Sequence, residues 1–201
     1  VVEAQGTSNP GDPAATEGTG SFTTTVASVG SKGNESLREL PQTASVVTSE
    51  RIEQQNFQYL DDAMRYTTGV QVAQNTAGRS SLFSRGYEVA DVQTNGVSVP
   101  LSSRDGTLPN LAMYDRIEVL RGPAGLYGGS GEPSATINLI RKQANDEFSG
   151  AGSVGYGSWN HYSAMGDVSV PLTEDGSVRT RAILSADYRD SFVDVEENNN
   201  E

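Results

Sequence analysis

From residue 178 to residue 190, apolar and polar side chains alternate. Val178, Thr180, Ala182, Leu184, Ala186 and Tyr188 share one face, and Arg179, Arg181, Ile183, Ser185, Asp187 and Arg189 the other. A period of two predicts a strand with one greasy side. Over residues 162–172, Tyr162, Ala164, Gly166, Val168 and Val170 alternate with Ser163, Met165, Asp167 and Ser169. Residues 148–156 carry a weaker, glycine-diluted version. Each run is about 10 residues, the length a tilted strand needs to cross a bilayer. The turns fall at residues 157–161 and 173–177. Tyr156, Trp159, Tyr162, Tyr188 and Phe192 then gather at one end of a three-stranded sheet, as an interfacial aromatic girdle does. The same pattern also fits the edge of a soluble β-sandwich. Three strands cannot close a barrel and leave two open edges, so they require further strands elsewhere.

Residues 36–145 predict a small mixed α+β domain. Residues 44–48 are β-rich, and Ser49-Glu50 offers a cap and an acidic first turn for a helix over 49–56. Leu60, Ala63 and Met64 repeat at helical spacing up to Gly69. Val70 and Val72 alternate briefly. Asn95-Gly96, set between alternating residues 92–99, is the strongest hairpin signal in the chain. Ile117 and Val119 mark a strand closed by Gly122-Pro123, and Ile137 and Leu139 mark another after a glycine-rich loop over 125–133. That loop lacks the Lys-Ser/Thr pair of a phosphate loop, so it reads as a demanding turn.

Composition narrows the chemistry. With 26 acids against 14 bases the net charge is -12, which argues against nucleic acid as a partner. There is no cysteine and a single histidine, His161, so a disulfide scaffold, a thiolate metal site and a cysteine nucleophile are excluded. Asp61 and Asp62 are adjacent on a helix and point apart, which suits a solvated face better than paired catalytic carboxylates. No enzyme is expected. The acid excess sits at the ends: removing three acids before residue 32 and five after residue 189 leaves 18 acids against 14 bases, or -4, in between. Residues 3–30 are mostly Gly, Ser, Thr, Pro and Ala, which bury little apolar surface, so residues 1–35 are expected to be a flexible leader. No signal peptide is visible, and the polar run from Asp194 stops without a closing element. A chain cut from a longer protein is the expectation.

Seven ordered segments carry a family resemblance: Leu40-Pro-Gln-Thr-Ala-Ser-Val-Val-Thr48; Leu60-Asp-Asp-Ala-Met64 with Gly69-Val70; Phe83-Ser-Arg-Gly-Tyr87; Asn95-Gly-Val97; Tyr114-Asp-Arg-Ile-Glu-Val-Leu-Arg-Gly-Pro123; Gly125-Leu-Tyr-Gly128; and Pro133-Ser-Ala-Thr-Ile-Asn-Leu-Ile-Arg-Lys142. Together they resemble the plug of TonB-dependent outer-membrane siderophore receptors. The turns at 157–160 and 171–176 resemble the barrel start of the ferric hydroxamate and ferripyoverdine branch. The resemblance implies a plug over 36–145 inside a 22-stranded transmembrane β-barrel, whose first three strands and second outer loop begin over 146–201. It implies a monomer in the bacterial outer membrane that takes up a ferric siderophore, with TonB as energising partner and lipid around the barrel. Iron would arrive already chelated, so no cofactor and no protein metal ligand are expected.

The resemblance also implies roles for single residues. Arg79, Pro100, Leu101, Ser102, Arg104 and Tyr127 lie where relatives contact ligand, and a guanidinium such as that of Arg79 suits an anionic, oxygen-rich chelate. Arg85 and Arg121, in Arg-Gly-Tyr and Arg-Gly-Pro, correspond to arginines that latch the plug to barrel glutamates. Val1 and Val2 correspond to the tail of a TonB box, which TonB grips by strand addition. A soluble plug-like binding module without transport is the alternative, and the greasy strand faces argue against it.

Overall fold

The computed structural model describes residues 12–30, 33–76, 79–100, 108–123, 133–173 and 175–190. The chain divides into two compact units, residues 1–142 and 143–201.

The first unit is built on a five-stranded mixed sheet. Its strands are β3 (Thr43–Val47), β7 (Asp91–Thr94), β8 (Val97–Pro100), β9 (Tyr114–Arg121) and β10 (Ala135–Arg141), in the order β3-β9-β10-β7-β8. β10 runs antiparallel to β9 and parallel to β7. Asn95 and Gly96 join β7 to β8 with φ of 50° and 78°. Both turn positions need positive φ, as the Asn-Gly pair predicts. The turn is pinned to β10, because Asn95 N donates to Leu139 O and Gly96 N to Asn138 Oδ1.

One face of this sheet holds the main core. Ile117, Val119, Ile137 and Leu139 lie in a cluster with Ile52 of α1 (Ser49–Gln54) and Leu60, Ala63 and Met64 of α2 (Leu60–Arg65). The cap of α1 lies one residue before the expected one, since Thr48 Oγ1 accepts from Arg51 N. At α2, Asp62 accepts from the N–H groups of Gln58 and Tyr59, which fills donors a helix start leaves open. Asp61 accepts from Ser80 Oγ at 3.1 Å and pairs with Arg65. The two acids are therefore half-buried structural groups rather than a solvated face. Ile137 is fully buried, so Ile137→Val is expected to lower stability by about 1 kcal/mol, read from the denaturant midpoint of the plug.

A second small sheet contains β4 (Gln71–Thr76), β5 (Arg79–Ser84) and β6 (Tyr87–Glu88), of which the sequence pattern showed only the start. β1 (Val26–Ala27) pairs with β2 (Glu35–Ser36). The expected flexible leader is corrected over residues 12–30. Ala14, Thr16, Ala27 and Val29 are buried, and Ala27 and Val29 form a separate cluster with Leu40 and Leu120. Their burial follows from fixed backbone hydrogen bonds, described below, which composition alone does not reveal.

The second unit is an antiparallel meander of β11 (Ser149–Gly157), β12 (His161–Pro171) and β13 (Arg179–Tyr188). The bounds lie within two residues of the predicted strands. The predicted greasy face is bare: Val154 is 89% and Leu184 78% exposed. On the opposite face, buried Asp167 meets Arg181 through two bonds of 2.6 and 2.7 Å, which satisfies both charges. His161 Nε2 lies 2.6 Å from Asp187 Oδ2. At the turn end Tyr156 packs on Tyr162, which faces Tyr188 in the ladder; Phe192 lies outside the described residues. Among the described residues no helix is long and apolar enough to cross a membrane, which says nothing about crossing by strands.

Candidate functional site

Strand β9 organises two polar sites in the first unit. Its alternation sends Ile117 and Val119 into the main core, so Arg116, Glu118 and Leu120 face the opposite side. There two charged side chains are buried as completely as any leucine: 1% of the Arg116 and 0% of the Glu118 side chain is exposed. Arg116 donates to Asp12 Oδ2 at 2.8 Å, Asp115 Oδ2 at 2.9 Å and Glu118 Oε1 at 2.8 Å. Burial by itself would lower the affinity of the guanidinium for its proton; Glu118 and Asp12 outweigh that and raise it. Burial would raise Asp12, but the Ala14 N–H and the Arg116 guanidinium hold its carboxyl below the usual carboxylate range. The Asp12 contribution is therefore present above pH 3.8 and fades as pH falls through its depressed value.

The remaining carboxylate oxygens hold the leader. Asp115 accepts from the backbone N–H of Thr16 at 3.1 Å and of Glu17 at 2.7 Å. Glu118 Oε2 accepts from the N–H of Ser28 at 3.0 Å and of Val29 at 2.7 Å, and from Ser28 Oγ at 2.9 Å. Asn138 Nδ2 reaches the same oxygen at 3.4 Å. Sequence reasoning assigned none of these residues a role. The available signal was an Arg-x-Glu pair on the back of an apolar strand, which demands a cover and a counter-charge.

The second site lies at the end of β9 and joins two of the expected residues. Arg121 donates to Thr68 O at 2.8 Å and Ser45 Oγ at 2.7 Å. Arg85, at a φ of 54°, lies over Gly122: a β-carbon there would stand 2.7 Å from its Nη1. A β-carbon at Gly69 would likewise stand 2.9 Å from Arg121 Nε. The glycines thus let two guanidinia approach the backbone and each other. Burial, and then the Arg85 charge, lower the proton affinity of Arg121. Among the described residues neither arginine pairs with a carboxylate, so this corner presents concentrated positive charge.

Of the expected ligand contacts, Arg79 and Pro100 fall among the described residues. Arg79 opens β5, exposed, opposite Thr76 across an irregularity in the ladder. Pro100 ends β8 opposite Asp91. Leu101, Ser102, Arg104 and Tyr127, with Val1 and Val2, lie outside the described residues. Among the described residues no group of acidic or histidine side chains could hold a metal ion.

The profile of the TonB-dependent Receptor Plug Domain matches residues 36–136. The chain is 40% identical over 183 residues to the ferric-pyoverdine 358 receptor of Pseudomonas putida, covering 89% of this chain and 22% of that protein. It is 38% identical to the ferripyoverdine receptor of Pseudomonas aeruginosa, with the same coverages. Among solved structures, the pyoverdine outer membrane receptor of Pseudomonas aeruginosa PAO1 bound to pyoverdine superposes with a TM-score of 0.82 at 38% identity, over 89% of this chain and 26% of that one. The alcaligin outer membrane receptor of Bordetella pertussis gives 0.79 at 35%, over 88% and 31%. These relatives are named as receptors, and the chain spans about a fifth of the length of the curated relatives it matches.

Proposed function

The chain belongs to the family of TonB-dependent receptor plug domains, and from this we propose that it is the plug and barrel start of a bacterial outer-membrane receptor that imports a ferric siderophore. The observation that carries the reading is the pairing of a plug fold with strands whose bare apolar faces, at Val154 and Leu184, suit lipid. A soluble module would leave that apolar surface in water.

In this reading residues 1–35 lead into a plug over 36–145, and 146–201 begin a 22-stranded barrel. Substrate binds from outside on the plug loops and barrel. TonB grips the chain upstream, with Val1 and Val2 in or next to the gripped strand, and the pull disturbs the plug. The protein acts as a monomer in outer-membrane lipid. Iron is cargo inside its chelate, and the protein needs no cofactor. Arg85 and Arg121 form one half of a plug–barrel latch: two adjacent guanidinia at one corner need carboxylates to neutralise them, and barrel acids supply these.

Arg79, Pro100, Leu101, Ser102, Arg104 and Tyr127 form the plug side of the ligand site. Arg79 supplies a charge-assisted bond to the chelate. In the full-length receptor, Arg79→Ala is expected to weaken ferric-siderophore binding about tenfold, measured by titration of purified receptor. Unchanged affinity removes Arg79 from the site. Ferric-siderophore uptake by cells carrying the intact gene tests the function itself.

A further inference from the structure

The two fastenings of the leader form one mechanical unit. Asp115 holds the N–H groups of Thr16 and Glu17, and Glu118 holds those of Ser28 and Val29. Arg116 bonds to both acids and also to Asp12 on the leader. What loosens one fastening therefore disturbs the other. Apart from these bonds, the leader is held by the short β1–β2 ladder, by a 3.9 Å ion pair of Glu17 with Lys142, by the Leu37 N–H on Thr25 O and by small groups. Ala27 and Val29 pack with Leu40 and Leu120, Thr16 Oγ1 accepts from Ser49 N, and Thr48 Oγ1 donates to Ser21 O. The main core begins only at Val47. Water can replace a carboxylate at a backbone N–H far more cheaply than it can enter an apolar core. The leader can thus leave while the core stays closed.

We propose that residues 12–30 are a detachable strap, fastened at Asp115 and Glu118 and coupled through Arg116, so that both fastenings open in one step while the helix-side core remains folded. Opening uncovers Arg116, Glu118 and Asn138, a charged and polar strip on the back of β9 and β10. The purpose of the strap rests on the transporter reading, because only a gripped leader is pulled; its existence does not.

Amide hydrogen exchange on the full-length receptor in detergent tests the proposal. The amides of Thr16, Glu17, Ser28 and Val29 should exchange at one common opening rate, faster than the amides of β9 and β10. Asp12→Asn, at the accessible end of the clasp, should speed all four by about tenfold. Ser28→Ala should speed the distant Thr16 and Glu17 amides as well as its neighbour. The proposal is overturned if Asp12→Asn speeds only residues 16–17, or if strap and core amides exchange together. Uptake measured on the same variants is read separately: lost uptake with the exchange pattern intact counts against the transporter reading and leaves the strap standing.

Discussion

Arg116→Ala is expected to lower the stability of the plug by about 3 kcal/mol, toward the lower end of the cost of breaking a buried ion pair. The guanidinium is the counter-charge of three carboxylates at once. Without it, Glu118 and Asp115 are left as buried like charges. The loss stays near the lower end because each acid keeps partners: Asp115 retains the Thr16 and Glu17 amides, and Glu118 retains Ser28, Val29 and Asn138. Adding Glu118→Leu should restore part of the stability, since a buried pair replaced by apolar groups loses its desolvation penalty. Recovery is incomplete because the Ser28 and Val29 amides then lack an acceptor. Pulse proteolysis of the full-length receptor in rising urea, following a plug cleavage product, gives both values. A loss below about 1 kcal/mol for the single change would mean that water reaches Glu118 and the cluster is not a structural centre.

Strands β11, β12 and β13 were legible because one face of each meets a single kind of surroundings. Val154 stands across the ladder from Ala164, Val168 from Gly150 and Ala182, and Leu184 from Gly166, all on one face, so a period of two survives intact. The β7–β8 hairpin was legible because Asn95-Gly96 satisfies a backbone requirement few other pairs meet. The strap was not. Apart from Val29, its buried residues are small or polar, such as Ala14, Thr16 and Ala27, and its attachment uses backbone N–H groups, which every sequence possesses. Only the acceptors, Asp115 and Glu118, are specific, and they lie about a hundred residues downstream. β4 to β6 were visible only at Val70 and Val72, because β5 buries serines, Ser80, Ser81 and Ser84, as well as Leu82. Resemblance named Arg85 and Arg121 one by one, and their meeting at one corner was not legible. The geometry of that corner depends on Gly69 lying beside Arg121 and Gly122 beside Arg85, which no local pattern encodes.

Locking the strap to the plug is expected to abolish energised uptake while leaving substrate binding intact. Thr16 and Ser49 suit the lock, since the Thr16 hydroxyl accepts the Ser49 N–H at 2.9 Å. Ser49 opens α1, whose Ile52 is part of the main core. This chain has no cysteine of its own, so Thr16→Cys with Ser49→Cys places a defined pair across the strap boundary, closed by oxidation or by a short bifunctional thiol reagent. A pull on the leader would then pass directly to α1 and meet the apolar core instead of the hydratable clasp. Core rupture exposes large side chains at about 25 cal/mol per Å², whereas the clasp exchanges one set of hydrogen bonds for another. The force that frees the strap therefore falls short of the core. The locked receptor should bind ferric siderophore with unchanged affinity and transport less than a tenth as much, and reduction should restore transport. Because the reduced form carries the same two substitutions, any loss caused by the missing Thr16 hydroxyl appears there and is subtracted. Full transport by the locked form would mean that the path opens without detaching residues 12–30, and would place the moving element downstream of Ser49.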